Sequence, residues 1–239
     1  MRKIIISDIH GFYNEFKELL AKVNYNREKD TLYLLGDYVD KGTQGKDVIQ
    51  YVMELLKQNN VKCIGGNHDW MFLNWLDGND YRLNPYANVK NGGAATIKSF
   101  YPDYVVGEND EEARLFINNN YPEEIQFLRD LPFYIEDKKH IFVHAGIDPK
   151  QEDWKDTSEK DFRWIRKKFI AEPHHHSKTV VFGHTSCAVL NEDESNFNAW
   201  FVEKKIGIDG GIKFGGKLHA LIIENDEYQV VSVAPGKLV

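Results

Sequence analysis

The chain is poor in the features that mark disulfide-bonded, secreted and membrane-spanning proteins. Its 239 residues include two cysteines, which is too few for a disulfide framework. No apolar run approaches the ~20 residues that a membrane-spanning helix needs, and Asp8 interrupts the first apolar stretch too early for a signal peptide. We therefore expect a soluble cytoplasmic protein with no membrane partner.

An excess of positive charge is also missing. The formal net charge is −7 and the sequence pI is about 5.7, and the chain shows no basic stripe of the kind that nucleic-acid-binding proteins carry. The composition therefore argues against a nucleic-acid partner. Phosphorylated substrates stay open, because bound metal ions reverse the local sign of the field. Linkers rich in proline, glycine or serine are absent as well, so residues 1–239 are predicted to form a single domain.

What the chain does contain is a set of short apolar runs that lead into metal-ligand types of residue. Runs of this length predict buried strands. In open α/β sheets, ligands bind outside the carboxyl ends of the strands, so side chains that follow different strands can meet at one place. The runs and the residues that follow them are 3–7 with Asp8 and His10, 31–36 with Asp37, 61–66 with Asn67, 141–143 with His144, and 180–183 with His184.

The order of the elements predicts the fold class. Amphipathic helices near 12–23 and 48–56 separate the first three strands, so the chain begins as βαβαβ with parallel strands. Residues 70–137 are predicted to be a mostly helical insertion, with helices at 110–118 and 122–131 and a loop at 91–93. One helix containing Phe162, Ile165 and Phe169 is predicted after Ser158. The tail is predicted to be all-β, with strands at 199–204, 217–223 and 229–234. A turn at 225–226 is predicted to join the last two strands. We therefore expect an α/β (α+β) fold, a four-layer αββα sandwich of two packed mixed β-sheets flanked by helices.

The residue types at the strand ends suit a pair of divalent metal ions. Aspartate, histidine and asparagine without cysteine favour hard or borderline cations, and two ions ~3.5–4 Å apart can share a bridging carboxylate. His68 adjoins Asn67 and is a candidate proton donor to the leaving group, with Asp40 as the carboxylate that orients its ring. The candidate metal ligands are Asp8, His10, Asp37, Asn67, His144 and His184.

Five short motifs follow one another along most of the chain. They are Ser-Asp-Ile-His-Gly at 7–11, Gly-Asp-Tyr-Val-Asp-Lys-Gly at 36–42, Gly-Asn-His-Asp at 66–69, His-Ala-Gly at 144–146 and Gly-His-Thr at 183–185. In type and order they resemble the motifs of the calcineurin-like metallophosphoesterases. The match is closest to the phosphoprotein phosphatase branch, which includes bacterial serine/threonine phosphatases and symmetrical diadenosine tetraphosphatases.

The resemblance implies a role for each matching position. Asp8 and His10 would bind the first metal ion and Asp37 would bridge both, while Asn67, His144 and His184 would bind the second. His68, paired with Asp40, would be the general acid. The family uses manganese, iron or zinc, of which manganese is favoured here.

The resemblance also implies cations that bind the substrate phosphate. Lys41 stands where the phosphatase pattern has arginine, and lysine keeps the charge but loses the planar bidentate fork. A second cation is expected from the segment 162–166, where Arg166 is favoured over Arg163. Asn67 is expected to contact the phosphate as well as the metal. Asp209 is a supporting candidate, because similar bacterial phosphatases carry an Ile-Asp-Thr-Gly-like segment at this place.

Two substrates are compatible with these residues. The leading expectation is a serine/threonine protein phosphatase that hydrolyses phosphomonoesters by in-line attack of a metal-bound hydroxide. The alternative is a symmetrical bis(5'-nucleosyl)-tetraphosphatase, which would use the same metals on diadenosine tetraphosphate. Because Asp69 replaces the glutamate of the phosphatase pattern, cyclic-nucleotide phosphodiesterase activity is a weaker alternative. A catalytically inert scaffold is the alternative from another functional class. The partner is thus a phosphorylated protein or a nucleotide, and the chain is expected to be a monomer or a weak oligomer.

Overall fold

The computed structural model describes residues 2–57, 60–79 and 85–236. Residues 80–84 of the predicted insertion therefore lie outside the described residues. The strands are β1 Arg2–Ile6, β2 Asp30–Leu34, β3 Val61–Cys63, β4 Tyr134–Glu136, β5 His140–Val143, β6 Thr179–Phe182, β7 Trp200–Val202, β8 Lys205–Gly207, β9 Leu218–Glu224 and β10 Glu227–Val233. The helices are α1 Tyr13–Lys22, α2 Gly45–Leu56, α3 Asn67–Leu76, α4 Gly93–Phe100, α5 Asp110–Asn120, α6 Pro122–Arg129, α7 Glu159–Trp164, α8 Lys167–Ala171 and α9 Cys187–Leu190.

The first sheet has the strand order β10-β9-β1-β2-β3. Its β1, β2 and β3 are parallel, which confirms the predicted βαβαβ start. The tail adds β9 antiparallel to β1 and β10 antiparallel to β9. Asn225 and Asp226, between β9 and β10, have φ of 51° and 66°, the left-handed conformation that a tight hairpin turn requires. The predicted hairpin is confirmed.

The second sheet has the strand order β4-β5-β6-β8-β7. Its three central strands β5, β6 and β8 are parallel, and β4 and β7 lie antiparallel at the edges. Both sheets are thus mixed, with parallel strands beside antiparallel ones. The carboxyl ends of β1, β2, β5 and β6 lead directly into the segments that carry the candidate ligands.

The two sheets pack face to face with helices on the outside. Apolar side chains of both sheets form one buried cluster between them, in which the rings of Tyr33 and Phe142 stack with centroids 4.2 Å apart. A second cluster packs α1, α2 and the helices of the 70–137 region against the outer face of the first sheet. A third packs α7 and α8 against the outer face of the second. The predicted four-layer αββα architecture is confirmed, and the single-domain assignment stays a prediction.

The structure corrects the sequence-based elements at four places. The predicted loop at 91–93 leads into helix α4, and strand β4 lies inside the segment predicted to be helical up to residue 137. The strand predicted at 199–204 is present as β7 but ends at Val202, and a turn at 203–204 leads into β8, a strand that was not predicted. The helix predicted after Ser158 breaks into α7 and α8, because Ile165 and Arg166 leave the helical conformation (ψ of 140° and −95°).

Within the described ranges, none of the helices has the length and apolar character that a membrane crossing requires. The compartment and the oligomeric state that the sequence suggests stay predictions.

Candidate active site

The strand ends bring all six candidate metal ligands into one buried cluster. Their side chains come from both sheets, and none of the six residues is more than 3% exposed. Four of them have left-handed backbone conformations, with φ of 54° at Asp8, 50° at His10, 55° at Asp37 and 62° at His184. Such conformations are uncommon for residues other than glycine and concentrate at functional sites.

Asp37 lies at the centre of the cluster. Its Oδ2 is 3.5 Å from Nε2 of His10, and its Oδ1 is 3.4 Å from Nε2 of His144. Two groups of potential ligand atoms share this carboxylate. Asp37 forms one group with His10 and His68 and the other with His144 and His184. Within each group, the ligand atoms lie within 4.8 Å of one another. One carboxylate that faces two groups of donors is the arrangement that a bridged pair of metal ions needs.

Asp8 and Asn67 complete the two groups. Oδ1 of Asp8 is 3.8 Å from Nε2 of His10, and Oδ1 of Asn67 is 2.9 Å from Nε2 of His144. Among the described residues, Asp8 Oδ1 and Asp37 Oδ2 have no hydrogen-bond donor although both are buried. Buried carboxylate oxygens without donors are costly unless a cation is present. The donor types and these two free oxygens therefore fit a pair of divalent ions.

Backbone carbonyls orient two of the histidine rings. Nδ1 of His10 lies 2.9 Å from the Val39 carbonyl oxygen, and Nδ1 of His144 lies 2.8 Å from that of Leu35. Each contact places the proton on Nδ1 and leaves Nε2 as the lone-pair donor toward Asp37. Such contacts behind the ring are typical of metal-binding histidines.

A chain of hydrogen bonds supports His68. Its Nδ1 is 2.6 Å from Oδ2 of Asp40. The other oxygen of Asp40 accepts hydrogen bonds from the Thr96 hydroxyl at 2.7 Å and from the Tyr86 hydroxyl. Burial lowers the pKa of His68, but the negative charges of Asp37 and Asp40 outweigh burial and raise it above the ordinary value. His68 is therefore held in a fixed orientation with its proton-carrying form favoured.

The carboxylates of the cluster differ in their electrostatic surroundings. Burial raises the pKa of Asp37, but the neighbouring histidines, with His144 first, outweigh burial and hold the pKa well below its usual range. Burial and the nearby Asp209 raise the pKa of Asp8 to about 7, although Lys213 opposes the shift. Asp37 is thus the carboxylate that stays ionised, as a central metal bridge requires.

The structure separates the two candidate arginines. Nε of Arg166 donates to Nε2 of His184 at 2.8 Å, so Arg166 borders the cluster. The guanidinium of Arg163 instead lies over the rings of Phe133 and Trp70, at 4.5 and 5.9 Å from their centroids. The break between α7 and α8 turns Arg166 toward His184, which a continuous helix would not do. The geometry agrees with the preference for Arg166, whose phosphate role stays a prediction.

Lys41 lies at the rim of the site rather than inside it. Its ammonium donates to the carbonyl oxygen of Lys90, and its backbone has a left-handed φ of 71°. Burial and the nearby Lys213 lower its pKa. The side chain lines the same cavity as Asn67 and His68, so a phosphate role for Lys41 is sterically open.

Four residues that shape the site were not assigned a role from the sequence. Thr96 and Tyr86 hold Asp40, as described above. Asp69 is buried and accepts backbone N–H bonds from Gly66, Asp37 and Tyr38 at 2.8 to 2.9 Å, which ties the third motif to the second. The ammonium of Lys213 lies between Asp8 and the supporting candidate Asp209. Only Asp69 carries a local signal, since it stands three residues after the helix N-cap Gly66 in the position of a capping box.

The cluster opens into a cavity of about 1170 Å³. Aromatic side chains supply part of its wall, and lysine and arginine side chains supply much of its charge. Trp164 is 37% exposed and Phe214 is 64% exposed. The residues that line the cavity include Lys41, Asn67, His68, Trp70, Trp164, Arg166, Lys213 and Phe214.

Known proteins are similar to this chain in sequence and in fold. A symmetrical bis(5'-nucleosyl)-tetraphosphatase of Actinobacillus pleuropneumoniae is 31% identical over 152 residues, which cover 63% of this chain and 47% of the relative. A protein of the same description from Shewanella loihica is 33% identical over 152 residues, covering 63% and 46%. The chain thus spans about half the length of these curated relatives.

Solved structures agree on the fold. A crystal structure provisionally described as a diadenosine tetraphosphatase has a TM-score of 0.68 at 20% identity, covering 99% of this chain and 94% of the other. A protein serine/threonine phosphatase of Saccharomyces cerevisiae has a TM-score of 0.59 at 13% identity, covering 100% and 81%. The family model described as calcineurin-like phosphoesterase matches residues 1–207. The chain belongs to the calcineurin-like phosphoesterase family.

Proposed function

We propose that the chain hydrolyses dinucleoside tetraphosphates with the help of two divalent metal ions. The observation that carries the phosphoesterase part is the meeting of two ligand groups at Asp37 beside the supported His68. The nucleotide part is supported by the curated relatives, which are named as symmetrical tetraphosphatases. A serine/threonine phosphatase, the leading expectation from the sequence, becomes the second candidate.

The chain's own residues divide between the two ions. Asp8 and His10 would hold the first ion, Asn67, His144 and His184 the second, and Asp37 both. When bound, such ions lower the pKa of a coordinated water and neutralise charge on a phosphoryl group. The ligand types admit manganese, iron or zinc, and manganese is the first ion to test.

The remaining polar residues would act on the substrate. His68 donates a proton to the departing oxygen, and Asp40 fixes the ring so that Nδ1 keeps its proton and Nε2 is left for the transfer. Arg166 and Lys41 offer positive charge to the phosphoryl oxygens from two sides, and Asn67 offers its amide. Because Arg166 presents a planar guanidinium, it is suited to a bidentate contact with phosphate.

The cavity favours a nucleotide over a small phosphomonoester. Its volume of about 1170 Å³ exceeds the ~300–1,000 Å³ of ordinary small-ligand pockets. Trp70, Trp164 and Phe214 line the cavity, and stacking of a base on an aromatic side chain contributes ~1–3 kcal/mol. A tetraphosphate bridge with a base at each end needs both features.

A comparison of substrates tests the proposal. Purified protein with manganese is given diadenosine tetraphosphate or a phosphoserine peptide, and the products are separated. Symmetrical cleavage gives two molecules of ADP, whereas asymmetric cleavage gives ATP and AMP. Faster turnover of the peptide would reject the nucleotide in favour of the phosphatase. No turnover of either substrate with manganese, iron or zinc would reject the phosphoesterase.

The His68→Asn variant tests the proton donor. A serine alkoxide is a much poorer leaving group than a phosphate oxygen, so loss of the acid should matter more for the peptide. We expect a loss of roughly 10²–10⁴ in kcat on the peptide and a smaller loss on the tetraphosphate, with unchanged metal content. His175→Asn, at an exposed histidine, is the matched control. An unchanged kcat in His68→Asn on both substrates would remove the proton-donor role.

A further inference from the structure

A buried lysine lies among the ligands of the first metal group. Lys213 belongs to the one-turn 3₁₀ helix Ile212–Phe214, which Gly211 and Gly215 flank in left-handed conformations with φ of 65° and 83°. These two bends direct the side chain inward, and only 8% of it is exposed. A charged side chain this deeply buried needs partners of opposite charge or hydrogen-bond acceptors.

The partners of Lys213 are the same atoms that would bind a metal ion. Its Nζ is 2.7 Å from Nε2 of His10 and 3.7 Å from Oδ1 of Asp8. It is also 3.6 Å from Oδ2 of Asp209. Both carboxylate oxygens lack a hydrogen-bond donor among the described residues, so the ammonium supplies their nearest positive charge.

A metal ion and this ammonium exclude each other. The lone pair on Nε2 of His10 accepts either a proton donor or a metal ion, and a bound zinc would sit ~2.0–2.1 Å from that nitrogen. Two positive charges cannot share one small buried space without strong repulsion. Binding of the first ion therefore requires the Lys213 side chain to withdraw. The adjoining cavity, which Lys213 lines, gives it room to do so.

The second metal group is obstructed less. Arg166 donates to Nε2 of His184, but no hydrogen bond within the described residues reaches Nδ1 of that ring, so this nitrogen stays available to a metal ion. In His10 the Nδ1 already bonds the Val39 carbonyl, so Nε2, the atom that Lys213 contacts, is the one ligand atom left. The recorded side-chain contacts of His144 are with Asn67, Asp37 and the Leu35 carbonyl, and those of His184 include Arg166. The contacts of Lys213 fall on the opposite side of Asp37, on Asp8, His10 and Asp209. The two halves of the site thus differ in whether the Lys213 ammonium contacts their ligand atoms.

We propose that Lys213 is a built-in cation that occupies the first metal position when no metal is bound, so that the two positions bind metal with unequal affinity. The position at Asn67, His144 and His184 loads first. The position at Asp8 and His10 loads second, at a metal concentration raised by the need to displace the ammonium. This inference rests on the proposed two-metal site, but it does not depend on which substrate is hydrolysed.

Manganese binding to the full chain tests the inference without reference to activity. Protein stripped with a chelator is titrated with manganese, and the free ion is followed by its electron paramagnetic resonance signal. Wild type should show two binding steps that differ by about tenfold or more in Kd, and Lys213→Met should tighten the weaker step by about tenfold. Lys217→Met removes a half-buried lysine four residues away, whose Nζ contacts Asn198, and should leave both steps unchanged.

Two further variants separate charge from folding. Lys213→Gln removes the charge but keeps a polar group, and it is used instead of Lys213→Met if that variant loses its circular dichroism signal. Lys213→Arg keeps the charge and should keep the difference in affinity between the two steps. An unchanged weaker step in both neutral variants would overturn the role of Lys213 and leave the proposed function intact. Absence of manganese binding in wild type and variants alike would overturn the two-metal function as well.

Discussion

Thr96 connects helix α4 to Asp40 by two hydrogen bonds, and its replacement by valine should show how much these bonds contribute. The residue is fully buried. Its hydroxyl donates to Oδ1 of Asp40 at 2.7 Å and accepts from the Asp40 backbone N–H at 2.8 Å. Valine has almost the same shape but no hydroxyl. The variant therefore removes both bonds without leaving a cavity.

The size of the effect follows from the two groups left behind. The buried N–H of Asp40 without an acceptor costs ~1–3 kcal/mol, and a hydrogen bond to a charged carboxylate contributes ~1.5–3 kcal/mol. The additional methyl of valine returns ~0.8 kcal/mol. We therefore expect Thr96→Val to lower the free energy of unfolding by about 2–5 kcal/mol. For a chain of this size each kcal/mol corresponds to ~2–4 °C in Tm.

Activity should fall together with stability, because Asp40 orients His68. Denaturant unfolding and kcat are measured for Thr96→Val and for Thr96→Ser, which keeps the hydroxyl and loses only a methyl. We expect Thr96→Ser to cost ~1 kcal/mol and to retain its kcat. If Thr96→Val is as stable and as active as Thr96→Ser, the hydrogen bonds from Thr96 do not hold the His68–Asp40 pair.

Two further predictions concern the junction of the sheets. Asp137 accepts a hydrogen bond from the ammonium of Lys3 at 2.5 Å. Burial raises the pKa of Asp137, but Lys3 and the backbone N–H groups of Lys139 and His140 together outweigh burial and lower the pKa from 3.8 to about 2. Because the pair is partly exposed, Asp137→Asn should lower the free energy of unfolding by ~1 kcal/mol at pH 7. In urea titrations, the difference in unfolding free energy between wild type and variant should disappear as the pH falls from about 4 toward 2. A difference that does not change with pH would contradict the ion-pair argument. A Cβ at Gly183 would lie 2.1 Å from Oδ2 of Asp8. Gly183→Ala should therefore lower the free energy of unfolding by ~1–3 kcal/mol or more and weaken manganese binding. Gly45→Ala, where the Cβ meets only contacts of 3.5 Å and longer, is its control, and equal melting temperatures would contradict the clash.

The sequence predicted the sheets and the ligand cluster because both depend on local patterns. Apolar runs that end on Asp8, Asp37 and His144 need only the rule that parallel strands end at a common edge. The architecture follows from the alternation of such runs with amphipathic helices. The ligands' roles as metal ligands stay predictions, but their convergence at Asp37 is what the strand order required.

The sequence did not predict elements that tertiary packing decides. Helix α4 begins at Gly93, the second glycine of a Gly-Gly pair that locally indicates a turn, and is held by packing against α2. Strand β8 has three residues and pairs in parallel with β6, more than 20 positions away. Lys213 reaches His10 across about 200 positions, and no local pattern in its segment carries that information.

The left-handed residues around the cluster of candidate ligands limit how this protein can become more heat-resistant. Besides Asp8, His10, Asp37 and His184, the neighbours Asp40 and Lys41 have φ of 73° and 71°. Each such conformation costs ~1–2 kcal/mol for a residue with a Cβ, so the group together approaches the ~5–15 kcal/mol by which whole domains are stable. Glycine would relieve this cost most easily at the positions whose side chains the proposed reaction needs. Thermal adaptation of this chain must therefore draw on substitutions far from its active centre.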